Sequence, residues 1–118
     1  MKVENIKSSP SFGVNIDKKL VKDANRYYRA RILPDQIEKF NKTVEKLRNC
    51  GSRKTTILHH QMDNENGKIH MLCLKNTSLN NQKALLLTQS DKYNEILRYF
   101  SELTCKTVEA MEEILAAN

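Results

Sequence analysis

"KTTILHHQMDNENGKIHMLCLK", Lys54 to Lys75, decides the architecture of this chain. Two runs rich in Thr, Ile, Leu and Met flank "DNENG", the signature of a β-hairpin. Side chains alternate along a strand, so the turn sets which residues share a face. A two-residue turn at Asn66-Gly67 and a four-residue loop over Asn64 to Gly67 give the same answer. Ile57, His59, Gln61, His70, Leu72 and Leu74 share one face; Leu58, His60, Met62, Ile69, Met71 and Cys73 share the other. His59 and His70 then lie diagonally across the pair, with Cα atoms about 7–8 Å apart. His60 and Cys73 are expected to face the core.

Downstream, the polar stretch "NTSLNNQ" leads to "KALLLTQ", a third strand, and Ser90 or Asp91 opens a helical stripe. Tyr93, Ile96, Leu97, Phe100, Leu103, Val108, Met111, Ile114 and Leu115 recur at its spacing. Unbroken, that helix would run to about 28 residues and roughly 40 Å. A domain of about 100 residues has a radius of gyration near 13 Å. The helix is therefore expected either to break near Thr104 to Thr107, where β-branched residues gather, or to pack its end on another chain.

Upstream, "FGVNI" (Phe12 to Ile16) reads as a short strand, with Asp17 as the N-cap of a helix over Lys18 to Arg31. Leu20, Ala24, Tyr27 and Tyr28, with Val21 and Ile32, make its apolar face. Pro34 ends it and opens a second helix, on which Ile37, Phe40, Val44 and Leu47 recur up to about Asn49; Gly51 follows as a C′ residue. The order is β-α-α-β-β-β-α. We expect a two-layer α+β domain over residues 12–118 behind a flexible segment 1–11, with an antiparallel sheet of three to four strands covered by helices.

The 118 residues, 39% hydrophobic and 29% charged, suit one soluble domain with a modest core. No apolar run suggests a membrane span, and "MKVENIKSSPSFG" has no apolar signal core. Cys50, Cys73 and Cys105 are odd in number and far apart, so three free thiols in a reducing cytoplasm are expected, with signal-independent export as the exception.

The net charge of +6 is uneven: residues 1–54 carry a balance of +8 and residues 55–118 one of −2. On the first helix Lys18, Lys22, Arg26 and Arg29 share one side; on the second Lys39, Lys42 and Lys46 point outward. This points to a non-enzymatic binding or regulatory protein that uses a basic helical surface to engage an acidic protein or a nucleic acid. Met111, Ile114 and Leu115 suggest a homodimer contact. Competing readings are a neutralising partner, such as an antitoxin, immunity protein or host-directed effector, and a small nuclease using His59 and His70 as acid and base. No four-ligand metal pattern and no cofactor motif is present, and the hairpin histidines read as incidental.

Overall fold

The hairpin forms as its parity requires. In the computed structural model, which describes residues 13–76 and 83–117, strands β2 (Thr55–Asn64) and β3 (Gly67–Asn76) pair antiparallel from Thr55↔Asn76 to Asn64↔Gly67. The connection is the two residues Glu65 and Asn66, so the expected face assignment holds throughout. Strand β4 (Ala84–Ser90) pairs antiparallel with β3 and carries a bulge opposite Leu72 and Cys73. The segment 1–11 and most of "NTSLNNQ" lie outside the described residues.

The first strand overturns one expectation. Among the described residues of "FGVNI", 13–16, only β1 (Asn15–Ile16) is a strand, and it runs parallel to β2 through Asn15↔Thr56 and Ile16↔Ile57. The sheet is mixed, in the order β1-β2-β3-β4, and not purely antiparallel. The cause is the two helices between these strands, which carry the chain over the sheet and return it in the same direction. Gly13 and Val14 instead donate backbone hydrogen bonds to the carbonyls of Arg48 and Cys50, both at 2.8 Å. A Cβ at position 13 would overlap the Cys50 backbone, so only glycine fits there.

Helix α1 (Lys18–Ala30) follows Asp17, whose side chain makes no capping bond, although its carbonyl accepts from Val21 N at 3.2 Å. Helix α2 (Pro34–Leu47) ends two residues before the expected boundary, and Gly51 occupies a left-handed turn beyond it at φ 73°. The long C-terminal stripe does break. Helix α3 (Tyr93–Ser101) stops ahead of Leu103, and α4 (Cys105–Ala117) restarts after Thr104, whose hydroxyl accepts from Thr107 N.

All helices pack on one face of the sheet. The buried core joins Val14, Leu20, Ala24, Tyr28, Phe40, Val44, Leu47, Ile96, Leu97 and Phe100 to Ile57, Leu72 and Leu74 from the strands. One hydroxyl fastens α2 to α3 inside it, Thr43 Oγ1 donating to Ser101 O at 2.9 Å, while Ser101 Oγ is satisfied within α3 by Leu97 O, also at 2.9 Å. His60 and Cys73 lie on the uncovered face, against expectation. Both faces of the hairpin are apolar, so alternation separates them without saying which one the helices cover.

The expectation of three free thiols is also overturned. Cys50, in the turn after α2, and Cys105, at the start of α4, form a disulfide with Cα atoms 5.8 Å apart; Cys73 stays free. The break between α3 and α4 turns the chain back over the end of α2 and brings the two sulfurs together. Glu112 reinforces the junction, accepting from Ser52 N at 2.9 Å and from Thr55 Oγ1.

Candidate functional site

On α1, Lys18, Lys22, Arg26 and Arg29 are all exposed and span about 16 Å of helix at 1.5 Å per residue. Among the described residues no carboxylate lies within ion-pair distance of any of them. They occupy the side of α1 opposite Leu20, Ala24 and Tyr28, so the stripe points away from the core. Their neighbour Lys19 is paired with Asp23 at 3.0 Å. The α2 cations behave differently. Lys39 pairs with Glu102 at 2.9 Å and Lys42 with Glu38 at 3.9 Å, while Lys46 is exposed with no such partner among the described residues. Of the two helices, α1 therefore carries the longer row of cations without a carboxylate partner among the described residues.

The stripe runs into a residue that patterning places on the apolar face of α1. Ile32, in the α1–α2 turn, is 83% exposed and sits at φ 55°, a left-handed conformation. For a β-branched side chain that conformation costs roughly 1–2 kcal/mol, and exposure adds no burial to offset it. Leu33 beside it is 39% exposed. Below this tip a hollow of about 200 Å³ is lined by Tyr27, Tyr28, Leu33, Gln36, Asn94 and Arg98. Arg31 stacks its guanidinium 3.7 Å over the Tyr27 ring. Periodicity carries Ile32 onto the apolar face of α1, but the helix ends at Ala30 and the turn beyond it leaves the side chain in solvent.

The histidines meet. His59 Nε2 and His70 Nδ1 are 2.9 Å apart, with the rings stacked at 5.1 Å and both packed against Tyr93. Tyr93 also meets Tyr27 edge-on at 5.2 Å, and its buried hydroxyl makes no hydrogen bond within the described residues. A contact of this kind holds one proton between the two nitrogens, and a second would set two N–H groups against each other. Burial, then the neighbouring His70, holds His59 below the usual imidazole range; burial, then Lys68, does the same to His70. A scissile phosphate would have to part these rings before acid and base could act across it. Among the described residues no three His, Cys, Asp or Glu side chains converge on a point that could hold a metal ion.

The pair makes stability depend on pH. Unfolded histidines take up protons near pH 6.5, whereas these two, folded, do so at lower pH. The unfolded chain therefore holds more protons in that interval, and stability falls as pH drops below about 6.5. Asp23, Lys19 and His60 around His59, and Asp91 and Lys68 around His70, set the local field. Melting curves from about pH 7.5 to 5 should fall more steeply for the wild type than for His59→Gln/His70→Gln. Parallel curves would remove the pair from the acid response.

Met111 packs against the core and Leu115 is buried within it, which leaves Ile114, at 47% exposure, as the outward apolar residue of that trio. No helix among the described residues is long and apolar enough to cross a membrane. Compared with known proteins, the chain matches no family model, no curated protein and no solved structure.

Proposed function

We propose that this chain is a small non-enzymatic binding protein that docks on an acidic surface of a partner protein through α1 and the α1–α2 turn. One observation carries the reading: four exposed cations without ion-pair partners among the described residues lead along α1 to Ile32, an exposed apolar residue held in a costly backbone conformation. Cations steer and orient an acidic partner, and an apolar anchor beside arginines has the composition of an interface hot spot. Nucleic acid is the weaker fit. The aromatic rings nearest the stripe, Tyr27 and Tyr28, pack edge-on against each other, and Tyr27 is covered by Arg31, which leaves no open face on which a base could stack.

The Cys50–Cys105 bridge supports a workplace where disulfides persist, and so the exported alternative over the reducing cytoplasm. An immunity protein or host-directed effector is the form of binding protein that suits such a setting. A homodimer through α4 would rest on Ile114, because Met111 and Leu115 are committed to the chain's own core.

The test compares tagged full-length wild type with Lys22→Glu/Arg26→Glu/Arg29→Glu and, as a control, Lys39→Glu/Lys42→Glu. A partner captured by the wild type and the control should bind the triple variant about 30- to 150-fold more weakly, the equivalent of about 2–3 kcal/mol across three reversed charges. Equal affinity of the triple variant would overturn the proposal. Binding of labelled RNA or duplex DNA that weakens steeply between about 50 and 200 mM salt, and is lost in the triple variant, would move the stripe to nucleic acid.

A further inference from the structure

The sheet has one face covered by helices and one that nothing among the described residues covers. The strand register puts Leu58, Met62, Ile69, Met71, Cys73 and Leu86 together on the open face. Met62 is 52% exposed and Leu86 48%, and none of the six belongs to the core cluster. A sheet with a solvated face ordinarily alternates apolar inside with polar outside. Here the open face keeps six apolar side chains, with the uncharged polar Thr56, Asn64 and Gln89 and His60 among and around them. Lys75 is the single Lys, Arg, Asp or Glu that the register assigns to the open face, in a chain that is 29% charged.

We infer that this face is a self-association surface, on which a second copy of the chain packs its own open face to close a four-layer helix–sheet–sheet–helix dimer. Three arguments select a second copy. The first is charge: with Lys75 at its end as the one Lys, Arg, Asp or Glu, the face offers little to the acidic partner assigned to α1, whereas its apolar centre complements a second copy of itself. The second is area. Three strands of up to ten residues measure about 33 Å by about 14 Å in plan, about 900 Å² over two copies. The relief of the side chains brings that toward the roughly 1,200 Å² at which specific interfaces begin. The third is repulsion: the unneutralised cations lie on the side of α1 that points away from the core, so pairing the open faces does not press two positive stripes together. Strands stacked in this way sit about 10 Å apart, as in a sandwich built from one chain.

The experiment is sedimentation velocity on the full chain from about 5 to about 300 μM, because a dimer of this size is set by mass action. The wild type is expected to shift with concentration toward a species of twice 13.7 kDa. Met62→Glu/Leu86→Glu, which alters two half-exposed side chains, should keep the wild-type circular dichroism and melting curve of the monomer and stay monomeric throughout. Ile114→Glu on α4 should dimerise like the wild type. Three results would overturn the inference: a wild type that stays monomeric at every concentration, a dimer that survives Met62→Glu/Leu86→Glu, or one that Ile114→Glu alone dissolves.

Discussion

Reducing the Cys50–Cys105 disulfide is expected to lower stability by about 2–4 kcal/mol and the melting temperature by roughly 10–20 °C. The bridge joins residues 55 apart in sequence, and the chain-entropy estimate for a loop of that length is about 4 kcal/mol. The lower figure allows for residual structure in the reduced, unfolded chain. The effect should be local in its onset. Helix α4 is held by Val108 and Leu115 in the core and by Glu112 on Ser52 and Thr55, so with the bridge gone it has few other restraints and should loosen first. Cys50→Ser/Cys105→Ser should melt like the reduced wild type, while Cys73→Ser should melt like the oxidised one. Thiol titration of the unfolded, unreduced chain should find a single reactive group, Cys73. Identical melting curves with and without reductant would refute the expectation.

Phe100→Ala should cost about 3–5 kcal/mol, the usual range for truncating a fully buried phenylalanine. Phe100 and Phe40 are both wholly buried with ring centroids 4.8 Å apart, and they join α3 to α2 at the centre of the helical layer. From Phe40 the ring contacts continue through Tyr28, Tyr27 and Tyr93 to the histidine pair. The cavity left at Phe100 therefore opens at one end of a line of aromatic contacts that reaches the sheet. A domain of this size is stable by about 5–15 kcal/mol, so the loss is a large share of the total. Urea denaturation should show the midpoint falling with little change in slope. A midpoint shift worth less than about 1.5 kcal/mol would mean that the surrounding side chains collapse into the space.

Much of this was legible in the amino-acid order. The boundaries of α1, the parity of the hairpin and the meeting of His59 with His70 followed from periods of 3.6 and 2. The break before α4 followed from the length that a domain of this size can hold. What stayed hidden has physical causes. The partners Cys50 and Cys105 are brought together by helix packing and a chain reversal, which no local spacing encodes, and the odd cysteine count pointed the other way. The parallel pairing of β1 depends on where two helices return the chain. The inner face of the sheet could not be chosen because Leu58, Ile69 and Met71 are as apolar as Ile57, Leu72 and Leu74. At the candidate interface the cations of α1 were visible as a stripe. Their separation from the paired cations of α2 needed the positions of Glu102 and Glu38, and Ile32 needed the turn itself.

The parallel pairing of β1 also bears on the order in which the molecule is made. Asn15 and Ile16 find their sheet partners about 40 residues later, beyond both helices, whereas β2, β3 and β4 are neighbours along the chain. On a ribosome adding about 5–20 residues per second, Val14 and Ile16 emerge seconds before Ile57 exists to cover them. The α1–α2 hairpin is complete by then and is a local structure that can form at once. During that interval it is the one element within reach that can shelter the waiting strand. The nascent chain would thus assemble from a helical pair that holds β1 in readiness, with the sheet zipping onto it from β2 outward.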